Sequence, residues 1–280
     1  MTKYIRYAAT PTLVLFGIFF AMKGQYWMWV YQAIFTLIVI FGDLFLGDDR
    51  SQPEYAAPKL LNFFLYINLP LLFTILAISI WMAGSLPLPA WGVSLMDARE
   101  ETTFIHLVGY VIVLGLMVAT AGTNVGHELT HRKRNRFDMF MGNWLLALTW
   151  DCSFAIEHVY GHHKYVATSI DPATAKRGQN PYNFILRAIF LNQRNAWIIE
   201  NSRLIKKGLR PLSIQNRMLI GYARSGILTG AAYLLAGWTG VILFLLISIG
   251  GKVVLEGVNY MEHYGLIREE GTPILPKHSW

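Results

Sequence analysis

The chain has 280 residues, of which 54% are hydrophobic and only 15% charged, well below the roughly 25% charge of soluble domains, so water is not its only solvent. Its net charge of +7 does not signal nucleic acid, because the basic residues lie between apolar spans and form no stripe interleaved with base-stacking aromatics; positive-inside topology accounts for them. Cys152 is the only cysteine, which excludes an intrachain disulfide, a thiolate cluster or a built-in rubredoxin-like iron site and makes any electron donor a separate protein.

Residues 7–22 form a short first crossing, read as a retained span because no small-residue cleavage site follows its apolar run. Lys23, Gly24 and Gln25 make a tight reversal into a second crossing over residues 26–46, and the segment GDDRSQPEYAAPK (residues 47–59) reads as loop. Residues 60–83 are the third crossing, which Pro70 is expected to kink, and residues 102–123 the fourth. The uncharged runs behind these assignments supply the roughly 20 apolar residues that a bilayer requires. Residues 84–101 read as a loop punctuated by Pro and Gly, with Arg99 its one basic residue.

The character changes at residue 124. Residues 124–217 carry fourteen Lys and Arg, starting with Arg132, Lys133, Arg134 and Arg136, an asymmetry that places the region in the cytoplasm. Residues 139–150 are apolar but too short for a crossing and read as a buried or interfacial helix. Residues 225–251 are 27 uncharged positions, long for one span and short for two. Gly237-Trp238 is the expected turn of a hairpin, which brings His263 to the same face as His127. The expectation is an all-α integral membrane protein forming a single membrane domain. It has about six transmembrane helices, both termini in the cytoplasm, and a cytoplasmic, helical, histidine-rich metal site. Its parts are four crossings in residues 1–123, the histidine-box region 124–217, a transmembrane hairpin 218–257 and a cytoplasmic segment 258–280.

Five of the eight histidines fall in two short boxes, His127-Glu-Leu-Thr-His131 and His158-Val-Tyr-Gly-His162-His163. Helical residues four apart share a face, so His127 and His131 can meet one metal, as can His158 and His162. His163 then points about 100° away and suits a second metal or a shared role. Ionisable groups at a membrane boundary are costly, which favours ligation for the boxes taken together; His106 and His278, each alone, read as satisfied polar residues. The first box by itself is also the zinc-protease pattern, with Glu128 as general base, but that reading uses only two of the histidines. The segment NYMEHYG adds His263 as a sixth candidate, against a plainer reading as an aromatic interface belt. Lys252 and Glu256, four apart, are expected to pair.

The blocks DLFLGDDRSQP, NVGHELTHR, EHVYGHHKYVATSIDPATAKRGQNPY and LEGVNYMEHYGLIR resemble the membrane-bound alkane 1-monooxygenases and xylene monooxygenases, within the membrane fatty acid desaturase and hydroxylase superfamily. The resemblance covers most of the chain. It implies two non-haem iron ions held by His127, His131, His158, His162, His163 and His263 below a six-helix bundle that admits an apolar substrate from the lipid. Glu128, Glu157 and Glu262, each beside a box histidine, are the candidates for orienting the imidazoles in catalysis, with Asp171 behind them. The family has a further His-x-x-His-His box downstream of the position that Trp280 reaches, so the expectation is an iron site short of three ligands as written, supplied either by a longer reading frame or by the active protein in another way.

The activity implied is hydroxylation of an alkane or alkyl C–H bond with dioxygen, in a bacterial inner membrane with the histidines facing the cytoplasm. Electrons come from a rubredoxin-type or ferredoxin-type donor with its reductase, for which the basic surface around residues 132–136 is a docking candidate. Three other readings stay open at this stage: a di-iron fatty acyl desaturase, an intramembrane zinc protease centred on His127, Glu128 and His131, and a non-catalytic membrane scaffold.

Overall fold

The computed structural model describes residues 2–47, 57–89 and 92–278. Most of the expected 47–59 loop, including much of the DLFLGDDRSQP block, lies outside the described residues. Among the described residues the structure is helical and contains no strand. Four stretches, Trp27–Phe45, Pro58–Trp81, Phe104–His131 and Arg217–His263, are long and apolar enough to cross a membrane. The chain divides into two compact units, one of Met1–Val125 with Thr229–Ile247, the other of Gly126–Leu228 with Ser248–Trp280.

The first unit opens with α1 (Thr2–Lys23) and α2 (Trp27–Leu46), joined by Gly24 and Gln25 at φ 67° and 47°. At Gly24 an added Cβ would sit 2.5 Å from the Ala98 carbonyl oxygen, so the turn needs glycine for space as well as for its left-handed backbone. Leu37 to Phe41 of α2 are all about half exposed. An apolar helix that leaves consecutive residues bare faces lipid rather than water.

The third apolar stretch is broken into α3 (Pro58–Tyr66) and α4 (Asn68–Trp81). Pro70 explains the position of the break, since its ring clashes with the carbonyl four residues earlier, that of Tyr66. Asn68 repairs part of the damage: its Nδ2 donates to the carbonyls of Phe64 at 2.6 Å and Leu65 at 3.3 Å. The expected loop over residues 84–101 is only partly loop, because α5 (Val93–Glu100) forms inside it. Arg99 at the end of α5 lies 4.3 Å above the Trp81 ring and donates to the Leu86 carbonyl, contacts that stabilise the short helix.

Helical residues then follow in sequence as α6 (Phe104–Met117), a π-helical segment (Val118–Thr123) and α7 (Asn124–His131). In the second unit follow α8 (Arg136–Ala147), α9 (Phe154–Glu157), a second π-helical segment (His158–His162), α10 (His163–Tyr165) and α11 (Pro181–Lys206). Asn135 and Asn180 cap α8 and α11 through their side-chain oxygens.

The last helix, α12 (Arg217–His263), is not one rod. Ala236 and Gly237 leave helical geometry, Gly237 at φ 57°. Ser225 and Ser248 donate to the adjacent carbonyls of Ala147 and Leu148, at 3.0 and 2.7 Å. Twenty-three residues of straight helix would hold those serines roughly 35 Å apart, so α12 is a hairpin whose two arms lie side by side.

Candidate metal centre

All six candidate histidines lie in the second unit. On α7, His127 and His131 are one turn apart, with ring centroids separated by 4.6 Å. Gly126 lets this helix close on α8, since a Cβ there would meet the Gly142 carbonyl oxygen at 3.2 Å. The second box comes from a different kind of turn. Over His158–His162 the backbone is π-helical, and its i to i+5 bonding brings residues five apart onto nearly one face. An α-helical reading places His163 away from its box partners; in the structure His163 Nε2 lies 3.0 Å from His158 Nε2.

His158 is the hub. Its ring centroid is 4.3 Å from that of His127, 5.5 Å from His131 and 4.6 Å from His163, and the ring stacks on Phe154 at 4.5 Å. One ligand atom from each of His127, His131, His158 and His163 falls within 4.8 Å of all the others. Nitrogen ligands on one ion, each about 2.1 Å from it, are up to roughly 4 Å apart, so small side-chain movements suffice for a shared metal. Burial, followed by the neighbouring imidazoles, holds His158 well below its ordinary pKa. His163 is lowered by burial, then by His131 and His162. Both imidazoles are therefore neutral at pH 7, as metal ligation requires.

His162 and His263 form a second group, with ring centroids 4.9 Å apart, next to the first through a His158–His162 stack at 5.0 Å. His162 Nδ1 is 3.0 Å from Asp171 Oδ2, an oxygen that also accepts the Thr174 hydroxyl at 2.5 Å. Burial opposes charge on both groups. The hydrogen bond between them prevails, raising the His162 pKa and, with Thr174 and the Ala173 N–H, lowering that of Asp171. His263 Nδ1 and Glu157 Oε1 are buried without a hydrogen-bond partner. Orphaned polar atoms of this kind beside an imidazole pair are where a ligand or ion belongs. Burial, then the charge of Asp171, pushes the Glu157 carboxyl up to about 8. A cation would relieve both.

The three candidate glutamates separate. Glu157 is buried beside the second group. Glu128 is 54% exposed and bonded at 2.8 Å to Arg132, so its carboxylate is directed to a guanidinium rather than to a box imidazole. Glu262 is half exposed, its oxygen 3.9 Å from His263 Nε2. Asp171, given least weight in the sequence, is the carboxylate that holds an imidazole. The available signal was its turn, Asp-Pro-Ala-Thr, in which the carboxylate accepts from Ala173 and Thr174.

Other expectations need correction or fall away. Lys252 does not pair with Glu256; its Nζ lies 3.1 Å from Asp151, which would otherwise be a buried, unpaired charge. Glu256 instead accepts from Asn192 and Asn259, each at 3.0 Å. His106 and His278 serve local turns, each accepting a backbone N–H through Nδ1, from Thr103 and Leu275.

Apolar helices of membrane-spanning length and six imidazoles gathered in one unit define an all-helical membrane protein with a polyhistidine metal centre as its candidate site. Residues 102–280 match the family model for fatty acid desaturases. The chain is 30% identical to alkane 1-monooxygenase 2 of Alcanivorax borkumensis, over 98% of its own length and 72% of the relative's. It is 32% identical to alkane 1-monooxygenase 1 of Pseudomonas aeruginosa, over 90% and 67%. With the xylene/toluene monooxygenase hydroxylase component XylM of Pseudomonas putida it shares 30% identity over 99% and 71%. The chain belongs to the membrane-bound alkane and xylene monooxygenase family, within the fatty acid desaturase superfamily.

Proposed function

We propose that the chain is the hydroxylase of a di-iron membrane monooxygenase, which converts an alkane or alkyl group to an alcohol with dioxygen and electrons from a rubredoxin-type or ferredoxin-type donor and its reductase. The observation that carries this reading is the meeting of His127, His131, His158 and His163 around a single point, with His162 and His263 beside them. The imidazole-rich donor set suits iron with open coordination positions. When bound, the metal supplies the redox chemistry of dioxygen that side chains cannot perform.

The protein's own groups have distinct tasks. His127, His131, His158 and His163 hold the first ion. His162 and His263 contribute to the second, with Asp171 fixing the His162 tautomer so that Nδ1 faces the carboxylate and Nε2 is free to ligate. Glu157 places its buried carboxyl beside these imidazoles, where a bound cation would draw it into its charged form.

The first unit offers the apolar substrate a cavity of about 170 Å³, lined by side chains including Leu13, Val14, Phe35, Val113 and Met117. Six crossings with cytoplasmic termini and a bacterial inner-membrane location fit this reading. The crossings lie within the four long apolar stretches, with the last counted twice for its hairpin, together with α1. In domain terms, crossings fill residues 1–123 and 218–257, and the histidine-bearing residues 124–217 and 258–280 face the cytoplasm.

The test combines metal analysis with product analysis. Protein in lipid nanodiscs, given an n-alkane, dioxygen, rubredoxin and its reductase, should hold iron and release the terminal alcohol. An alkene or unsaturated acyl product would instead indicate a desaturase. Zinc at one per chain, with activity kept after His163→Ala, would indicate the protease reading, which the Glu128–Arg132 bond already weakens.

A further inference from the structure

Arginine side chains inside a fold ordinarily meet a carboxylate, because an unpaired buried charge is costly. Arg187 and Arg268 do not. Arg268 is only 7% exposed, and its guanidinium donates to three backbone carbonyls, those of Val166, Thr272 and Lys164, at 2.9, 2.7 and 2.7 Å. Arg187, half-buried, donates to the carbonyls of Pro172 and Thr174, both at 3.2 Å, and lies 5.7 Å from the Phe184 ring centroid, while its Nε is buried without a hydrogen-bond partner. Neither guanidinium pairs with a carboxylate among the described residues. Both line one recess of about 340 Å³ within the second unit, and the exposed Lys176 and Arg177 line it as well.

Four cations line one hollow with no acid among its lining residues, which gives it a positive potential that favours an anion. A guanidinium presents five donors in a planar fork, and Arg268 and Arg187 spend only some of theirs on carbonyls. The unused N–H groups suit a tetrahedral oxyanion, which offers several acceptors at once. Hydrogen bonds fix the segments that form the recess walls. Ala167, at φ 63°, accepts the Arg268 backbone N–H at 2.7 Å and donates its own N–H to Thr174 at 2.9 Å, and Gly265 donates to the Ala175 carbonyl at 2.8 Å. Tyr264 and Tyr260 anchor the same loop by accepting from the Gly178 N–H and donating to the Gln179 carbonyl. Aromatic residues with polar tips are characteristic of the headgroup level of a membrane protein.

From this we infer that the recess lined by Lys176, Arg177, Arg187 and Arg268 is a binding site for a phosphate group, supplied either by an anionic phospholipid headgroup or by free phosphate. The site is separate from the histidine cluster but shares a segment with it. Asp171, the partner of His162, lies in the loop that the Arg187 and Arg268 contacts pin down, so an anion there also steadies the carboxylate beside the metal centre.

The experiment uses the whole protein and the double variant Lys176→Gln/Arg177→Gln, which alters only exposed side chains. Circular dichroism and gel filtration first establish that the variant is folded. Native mass spectrometry then measures retention of phosphatidylglycerol against phosphatidylcholine, and thermal unfolding is followed in graded inorganic phosphate. The wild type should retain a phosphate-bearing ligand preferentially. The variant should bind it roughly thirtyfold more weakly, about a factor of five for each cation removed. Selective phosphatidylglycerol retention that millimolar phosphate does not displace identifies the lipid as the source. A phosphate-dependent rise in unfolding temperature with no lipid preference identifies the free ion. Equal behaviour of wild type and variant toward both ligands, or binding only of an acidic protein, overturns the assignment.

Discussion

Asp171→Asn isolates the carboxylate that hydrogen-bonds to the His162 imidazole. The change is nearly isosteric, and Oδ1 can still accept the Ala173 N–H that it now receives at 3.1 Å. What is lost is Oδ2, which lies 3.0 Å from His162 Nδ1 and 2.5 Å from Thr174 Oγ1. An amide nitrogen in its place donates instead of accepting, so Nδ1 must become the acceptor and the imidazole proton moves to Nε2, the nitrogen needed for ligation. Losing an outer partner of this kind costs about 10–100-fold in metal affinity, equivalent to about 1.4–2.7 kcal/mol. The assay is iron retention against a graded chelator, with circular dichroism as a control for folding. Asp171→Asn should shift the chelator midpoint by one to two decades. An unchanged midpoint, in a protein from which His162→Ala does release iron, would refute the orienting role.

Three further outcomes follow from packing and charge. Burial opposes charge on Glu200, but hydrogen bonds from Arg203 and Arg217 hold its carboxyl at about 2 against an ordinary 4.5. A depressed folded value means this stabilisation is fully present above pH 4.5 and disappears as pH falls toward 2. Glu200→Gln should therefore lower stability at pH 7 by about 2 kcal/mol and flatten the acid limb, and a denaturant midpoint unchanged at pH 7 would contradict this. Lys252→Met strands Asp151 in the interior and should cost about 3–5 kcal/mol, largely recovered in the Lys252→Met/Asp151→Asn double variant; additive losses would count against the pair. Gly221→Ala places a Cβ 2.1 Å from Cys152 Cβ and should cost about 1–3 kcal/mol by overpacking. Because the clash is with Cβ, Cys152→Gly should relieve it and Cys152→Ala should not.

What could be read from the sequence was whatever depends on near neighbours. Four-residue spacing identified His127 with His131, and runs of apolar residues identified the four long apolar stretches; the expected sharing of one metal by His158 and His162 gives way to His158 with His163. The α12 reversal was foreshadowed by Gly237, the one residue type there that adopts φ 57° without strain. Features set by long-range contact or by unusual backbone were not legible. The meeting of His158 with His163 depends on a π turn that an assumed 3.6-residue period cannot show. Lys252 has Glu256 four residues away, yet its partner lies 101 positions back along the chain. Asp171 has no neighbouring histidine to flag it, and only folding brings it to His162. α5 was hidden because Pro87, Pro89 and Gly92 mark a loop immediately before a stretch with no breaker of its own.

Imidazoles from α7, the second π turn, α10 and the end of α12 would together hold redox-active metal. Iron K-edge X-ray absorption on the metal-loaded protein tests this most directly. The expected spectrum has a first shell dominated by nitrogen with the multiple scattering of several imidazole rings, which His158→Ala, at the hub, weakens or abolishes. An oxygen-only shell without imidazole scattering, or a spectrum that His158→Ala leaves unaltered, would contradict it.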